Sequence, residues 1–143
     1  MEARQLNTNI RLLLATADTE LCLSLHGRKE ILLEGVEFQD EFSENFPRKE
    51  SEGGDERAIF LGRDKHCDLI LKGDQVSRVH ARIQPEGQYF YLYDTSTNGC
   101  FFRGEDEQVT FIRRKSLRLW GQGLISLGTP DFTRAVVSIK HLD

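Results

Sequence analysis

The sequence has few cysteines, few prolines and no long apolar stretch. Its 143 residues include three cysteines, three prolines, one methionine and one tryptophan. The longest apolar run, residues 10–15, is interrupted by Arg11, and it is far shorter than the roughly 20 residues of a membrane-spanning helix. The first residues also lack the cationic end and apolar stretch of a secretory signal peptide. We therefore expect a cytoplasmic protein without a membrane partner.

The cysteines are odd in number and have no paired spacing. Cys22, Cys67 and Cys100 lie far apart along the chain, whereas metal and redox motifs usually hold two cysteines a few positions apart. We interpret all three as small, buried apolar residues in a reducing compartment. Neither a metal ion nor another cofactor is expected.

Positive charge is also scarce, because the formal net charge is −4. Nucleic-acid binding usually requires a broad basic surface, so nucleic acid is not expected as a partner. The cations are nevertheless unevenly distributed, and Arg113, Arg114 and Lys115 are consecutive. This run has two interpretations: a solvated loop beside a strand, or a patch that attracts an anionic peptide over a long range.

What the chain does contain is a series of short apolar runs separated by Gly, Asp and Asn turns. In residues 20–25 the leucines alternate with other residues, which places them on one face of a strand. Repetition of such runs favours an all-β sandwich, and no helix of three turns is predicted. Residues 38–56 are predicted to form an exposed acidic loop, although the spacing of Phe38, Phe42 and Phe46 also permits a short helix.

Three polar motifs occur where predicted strands end. They are Leu61-Gly62-Arg63, then Val76-Ser77-Arg78-Val79-His80-Ala81, then Asp94-Thr95-Ser96-Thr97-Asn98-Gly99. Within these motifs two guanidinium groups come from Arg63 and Arg78, two hydroxyl groups from Ser77 and Thr97, and a short amide from Asn98. This combination of donors suits an oxyanion with several acceptor oxygens, and phosphate fits it best.

Together the three motifs closely resemble the forkhead-associated (FHA) domain, a module that binds phosphothreonine peptides. The resemblance covers about residues 58–139. It implies an all-β, FHA-like β-sandwich of about eleven mostly antiparallel strands, with the recognition loops at one end. We expect residues 1–57 to add N-terminal strands and an acidic loop to the same sandwich, and residues 58–143 to form the FHA core.

The residues themselves favour Arg63 as the phosphate-binding cation, since it follows Gly62 at a strand end. The resemblance implies that Thr97 contacts the phosphate, that Asn98 contacts the peptide backbone and that His80 is structural. The predicted phosphopeptide-binding residues are Arg63, Ser77, Arg78, Thr97 and Asn98, and the predicted structural residues are Gly62, His80 and Gly99.

Each of these residues also has an ordinary interpretation. Arg63 could form a surface salt bridge with Asp64 or Asp68, Ser77 could cap a turn, and the Ser-Thr-Asn-Gly segment could be a hairpin turn without a ligand. Arg78 could be a solvated arginine that touches nothing. The joint occurrence of three motifs favours the phosphate site over these alternatives.

Ser77 and His80 raise the separate possibility of a serine nucleophile with a histidine base. Residues three apart in an extended segment point to opposite faces, and the chain lacks the Gly-x-Ser-x-Gly elbow of hydrolases. No catalytic residue is therefore expected. The predicted function is a monomeric, non-catalytic adaptor in Ser/Thr kinase signalling that binds a phosphothreonine-containing protein or peptide. The alternative is a sandwich that docks a protein without phosphate.

The sequence departs from the usual FHA pattern after the third motif. Cys100 stands where many FHA domains have Thr or Val, and Arg103-Gly104 replaces an Asn-Gly turn. A further change lies around Gln122-Gly123. We expect these departures to affect selectivity for the rest of the peptide and not phosphate binding itself.

Overall fold

The chain is all-β throughout the part described by its computed structural model, which comprises residues 10–25, 29–33, 36–39 and 58–142. These ranges contain thirteen strands and no helix. The described residues therefore include no helix long and apolar enough to cross a membrane. The strands are β1 (Arg11–Ala15), β2 (Glu20–Ser24), β3 (Lys29–Leu33), β4 (Val36–Gln39), β5 (Ile59–Gly62), β6 (Leu69–Ile70), β7 (Ala81–Glu86), β8 (Tyr89–Asp94), β9 (Cys100–Arg103), β10 (Val109–Ile112), β11 (Ser116–Arg118), β12 (Gln122–Leu127) and β13 (Val136–Leu142).

The strands form two sheets. The larger sheet has the order β10-β9-β12-β13-β1-β2-β3-β4, and the smaller has the order β11-β8-β7-β5-β6. Within the described ranges, β5 and β6 are the one parallel pair, and all other neighbours are antiparallel. This arrangement confirms the prediction of a mostly antiparallel, FHA-like sandwich, with slightly more strands than the expected eleven.

The core consists of the inward-facing residues of both sheets. In β7 and β8 buried residues alternate with partly exposed ones, as expected where one face of a sheet is covered. Leu12 and Leu14 of β1 are fully buried in the same core. In β2 the residue between the two buried leucines, Cys22, is also buried, so both faces of the sheet are covered there.

The N-terminal strands extend the sheet that also contains the C-terminal strand. Leu12 pairs with His141 and Leu14 with Ile139, in the antiparallel register of β1 with β13. The prediction of an exposed loop from residue 38 is wrong at its start, because Phe38 lies in β4 opposite Ile31 of β3. Phe38 belongs to the alternating sequence Val-Glu-Phe-Gln of β4, which pairs with β3 before the acidic stretch begins. The rest of that predicted loop, including Phe42 and Phe46, lies outside the described residues.

Strand direction places all three polar motifs at one end of the sandwich. Leu61 pairs with Ala81, and Ala81 pairs with Asp94, so β5 and β8 end where β7 begins. The third motif then connects β8 to the start of β9. Cys100 at that start pairs with Ile112, which brings the loop after β10 to the same end. This end of the sandwich, formed by residues 63–67, 72–80, 95–99 and 113–115, is called the loop end below.

Candidate functional site

Gly62 permits a close backbone contact between the first two motifs. A Cβ atom at this position would lie 2.1 Å from the carbonyl oxygen of Arg78, a distance that no side chain can accommodate. The two segments are joined by backbone hydrogen bonds. These are Arg63 N to Ser77 O (3.2 Å), Asp64 N to Arg78 O (3.1 Å) and His80 N to Leu61 O (2.8 Å).

Arg63 is exposed at the loop end and is held by one side-chain hydrogen bond. Its Nε donates to the carbonyl oxygen of Val76 over 2.8 Å. A guanidinium has five N–H donors, so the four on the two terminal nitrogens have no protein acceptor in the described part of the chain. Within that part Arg63 also forms no ion pair, which argues against the salt-bridge interpretation with Asp64 or Asp68.

The second and third motifs meet through Ser77 and Asn98. The backbone N–H of Thr97 donates to the Ser77 hydroxyl oxygen over 3.3 Å, which leaves the hydroxyl proton of Ser77 available to an acceptor. The Asn98 Nδ2 donates to the carbonyl oxygen of Gln75 over 3.1 Å. The side chain of Thr97 is exposed beside these contacts.

Arg78 presents a second exposed guanidinium at the loop end. Its carbonyl oxygen accepts hydrogen bonds from Asp64 N and from the Cys67 thiol, so its backbone position is fixed. The pKa of Asp64 is lowered, first by a hydrogen bond from the His66 backbone and more weakly by the positive charge of Arg78. The local carboxylate is therefore ionised and already engaged by His66.

His80 is fully buried beneath the loops. Its Nδ1 accepts a hydrogen bond from Ser77 N over 3.0 Å, and its Nε2 lies 2.8 Å from the carbonyl oxygen of Gly99. These partners require the neutral tautomer that carries its proton on Nε2. Burial lowers the pKa of His80, opposed by the hydrogen bond to Gly99 and by Asp94. Both ring nitrogens are thus occupied by backbone groups, so neither is available as a base for the Ser77 hydroxyl.

The third motif is held in shape by two buried residues to which sequence reasoning assigned no role. The Oδ1 of Asp94 accepts hydrogen bonds from the Ser96 hydroxyl (2.7 Å) and the Cys100 thiol (3.2 Å). The Ser96 hydroxyl oxygen in turn accepts from Gly99 N over 2.7 Å. Asp and Ser often bond to nearby backbone in turns, and this was the available signal. The resulting network fixes the backbone on which Thr97 and Asn98 are carried.

Three buried side chains carry candidate metal-ligand atoms within 4.8 Å of one another: His80, Asp94 and Cys100. Burial and the neighbouring Asp94 raise the pKa of the Cys100 thiol well above its usual range, so the sulfur keeps its proton. Nε2 of His80 is committed to Gly99. These groups satisfy one another as a hydrogen-bond network, and their chemistry does not fit a metal centre.

The basic run after β10 contacts the third motif directly. Arg113 Nε donates to the Thr97 carbonyl oxygen over 2.7 Å, and Arg114 Nε donates to the Ser96 carbonyl oxygen over 3.1 Å. Both arginines are exposed, as the loop interpretation predicted. The direct contacts were missed, because the sequence does not indicate which loop lies beside residues 96 and 97.

Comparison with known families agrees with this geometry. The model of the FHA domain family matches residues 59–128, a stretch that contains all three motifs. The chain contains an FHA domain. No curated protein gives a significant match to the sequence.

Solved FHA domains share the fold over almost the whole chain. The FHA-1 domain of Rv1747 from Mycobacterium tuberculosis has 15% identity and a TM-score of 0.54, covering 94% of this chain and 99% of its own. An engineered FHA domain with a Myc-pTBD peptide has 22% identity and a TM-score of 0.53, covering 96% and 94%. The N-terminal FHA domain of Rad53p from S. cerevisiae, in complex with a phosphothreonine peptide, has 18% identity and a TM-score of 0.50, covering 94% and 92%. At these identities the similarity is one of fold.

The FHA domain thus brings all five predicted binding residues to its loop end. Ser77 and Thr97 are in hydrogen-bond contact, and Arg63 is bonded through its backbone to Ser77. Asn98 follows Thr97, and Arg78 follows Ser77. Their contact with a phosphopeptide stays a prediction.

Proposed function

We propose that this FHA domain binds phosphothreonine peptides and acts as a non-catalytic adaptor in Ser/Thr kinase signalling. The observation that carries the proposal is Arg63, whose exposed guanidinium is fixed to the Val76 carbonyl and whose backbone N–H is bonded to the Ser77 carbonyl. The complex of the Rad53p FHA domain with a phosphothreonine peptide supports the same ligand class here.

A phosphorylated threonine carries nearly two negative charges at pH 7 and three acceptor oxygens. The free terminal nitrogens of Arg63 supply a planar pair of charged donors, a geometry that suits two phosphate oxygens. The Ser77 hydroxyl proton and the Thr97 hydroxyl supply neutral donors for the third. Since the Nε of Arg63 is already tethered, little side-chain freedom remains to be lost when the phosphate binds.

The peptide backbone on either side of the phosphothreonine needs partners of its own. Asn98 lies at the surface with its amide nitrogen bonded to Gln75, which leaves the amide oxygen to accept a peptide N–H. Gln75 precedes Ser77 by two residues, whereas Arg78 directly follows Ser77 and offers an exposed cation. We assign Asn98 to the peptide backbone and Arg78 to the peptide or its phosphate.

The non-catalytic role is supported by the surroundings of Ser77. Its nearest candidate base, His80, is buried and uses both ring nitrogens for backbone groups. General-base catalysis requires a base within hydrogen-bond reach of the nucleophile's proton.

We further propose that the protein is a cytoplasmic monomer. Its three cysteines are buried, which confirms the expected burial. They form no disulfide, as is typical of proteins from reducing compartments. A cytoplasmic location would also place the domain where Ser/Thr kinases act.

The test is a degenerate peptide library with a fixed phosphothreonine, presented to the full chain before and after phosphatase treatment. We expect retention of the phosphorylated library alone. The peptide with the highest enrichment is then resynthesised with phosphoserine, whose missing methyl lowers affinity by about 0.8 kcal/mol, or roughly fourfold. Equal retention of treated and untreated libraries would favour a phosphate-independent interaction instead.

A further inference from the structure

We propose that Arg113 and Arg114 form a second anion-binding subsite, which receives an acidic or phosphorylated side chain of the same peptide. This subsite, defined by Arg113 and Arg114, rests on the proposed function and adds a preference for a second negative charge near the phosphothreonine. It adjoins Thr97, whose backbone contacts both Ser77 and Arg113.

The position of Arg113 follows from the two backbone groups of Thr97. The N–H of Thr97 faces the Ser77 hydroxyl, and its carbonyl oxygen accepts from Arg113 Nε at 2.7 Å. Thr97 thus contacts both Ser77 of the proposed phosphate site and Arg113, so Arg113 lies about one residue away from that site. An extended peptide advances about 3.3–3.6 Å per residue, so a side chain within about four positions of the phosphothreonine reaches this distance.

Both arginines are held as Arg63 is held. Each uses Nε for a backbone carbonyl of the third motif, and each is an exposed residue with two further terminal nitrogens. Fixed, exposed guanidinium groups are suited to carboxylate and phosphate oxygens.

The backbone at Arg114 strengthens the argument. Its φ is +60°, a left-handed conformation that costs a non-glycine residue energy. The conformation is maintained by the bond from Arg114 N to the buried Asp94 carboxylate, 2.8 Å long. The neighbouring Lys115 is bonded through its carbonyl to Asp94 N over 2.9 Å. The basic loop is therefore built into the network that shapes the third motif and is not an independent surface loop.

The charge distribution indicates the sign of the occupant. Arg63, Arg78, Arg113 and Arg114 all lie at the loop end, although the chain as a whole is acidic. The consecutive acidic residues 105–107 lie in the turn between β9 and β10, at the opposite end of the sandwich. An anionic side chain at the second subsite therefore meets a positive local potential.

The test uses the same degenerate phosphothreonine library, with Asp, Glu and phosphoserine included at the flanking positions. We compare the wild type with Arg113→Gln/Arg114→Gln, since glutamine keeps a donor for the backbone carbonyls but removes the charge. The matched control is Arg118→Gln/Lys140→Gln, which removes two charges from exposed residues away from the loop end. Melting temperatures of both variants verify folding, and Arg113→Gln alone serves if the double variant is unstable.

We expect enrichment of an anionic residue at one flanking position for the wild type and the control, and its loss in the Arg113/Arg114 variant. For resynthesised peptides with Glu, phosphoserine or Gln at that position, the variant should discriminate about fivefold less between anionic and neutral peptides. A larger loss for phosphoserine than for Glu identifies a second phosphate as the occupant.

Three results would overturn this inference. Phosphothreonine binding without anion enrichment removes the subsite and leaves the proposed function intact. An equal loss of enrichment in the control variant shows long-range attraction without a defined subsite. Failure to retain any phosphothreonine peptide contradicts the proposed function, and the subsite falls with it.

Discussion

Gly62 and Arg63 are adjacent, yet their surroundings are opposite. Gly62 is buried against the carbonyl oxygen of Arg78, while Arg63 is exposed and bonded through its Nε to Val76. The glycine sets the path of the backbone and thereby the direction from which the arginine is presented. At the residue scale, each motif therefore combines structural residues with proposed binding residues, and substitutions at nearby positions should have different consequences.

His80→Gln tests the structural role of the buried histidine through pH. Folding lowers the pKa of His80 below its ordinary value of 6.5, so the unfolded chain binds the proton more readily. Its contribution to stability is complete above pH 6.5 and is lost as the pH falls from there through the folded-state pKa. Protonated Nδ1 also cannot accept from Ser77 N. Glutamine can pair with both backbone groups but does not titrate.

We therefore expect the wild type to lose more stability than His80→Gln when the pH is lowered from about 7 to about 5. Chemical denaturation at a series of pH values measures the difference. Parallel pH profiles for the two proteins would show that His80 is not the buried neutral group described here.

At the scale of elements, the third motif depends on buried residues beneath its exposed side chains. Ser96 is buried, and its hydroxyl joins the Asp94 carboxylate to Gly99 N. Asp94 also accepts from the N–H of Arg114. The connection from β8 to β9 and the loop after β10 are therefore one hydrogen-bonded unit.

Ser96→Ala should destabilise this unit by about 1–3 kcal/mol, because it leaves the buried Gly99 N–H without a partner. Peptide affinity should fall with it, since Thr97 and Asn98 are carried on the same backbone. Thr95→Ala is the control: Thr95 is an exposed neighbour whose hydroxyl makes weaker contacts of 3.3 and 3.4 Å, and it should cost about 0.5 kcal/mol or less. Denaturation and peptide titration of both variants provide the comparison, and equal stabilities would exclude the network as the source of loop order.

The motifs could be found in the sequence because each is short and continuous. Gly62 adjoins Arg63, Ser77 adjoins Arg78, and Thr97 adjoins Asn98 and Gly99. A few neighbouring positions therefore indicate both the turn and the donor groups. The contact of Arg113 with Thr97 could not be predicted, since it depends on β10 returning beside β9. The strand at β4 was missed because its four residues, Val36–Gln39, precede a long acidic stretch, and its pairing with β3 depends on the fold.

At the scale of the whole molecule, the N-terminal strands share the core with the FHA domain. β1 lies between β13 and β2 in the larger sheet, and Leu12 and Leu14 are fully buried. The loop end therefore rests on a sandwich to which both ends of the described chain contribute. We predict that residues 10–25 unfold together with the rest.

Leu14→Ala tests this cooperativity. Truncating a fully buried leucine costs about 2–5 kcal/mol, and the loss should appear in a single unfolding transition of the whole chain. Ile70→Ala is the matched control, because Ile70 is 46% exposed and should cost about 1 kcal/mol or less. A main transition that is unaffected by Leu14→Ala would mean that the N-terminal strands unfold separately.

The central claim is that Arg63 binds the phosphate. Calorimetric titration of Arg63→Ala with the library-selected phosphothreonine peptide tests it most directly. Losing one partner of a charge-assisted pair costs about 2–5 kcal/mol, so affinity should fall about thirtyfold or more. Lys65→Ala removes an exposed neighbouring charge and should change affinity by no more than about fivefold. The melting temperatures of both variants should stay close to that of the wild type. A correctly folded Arg63→Ala protein that binds the phosphopeptide as tightly as the wild type would contradict the account.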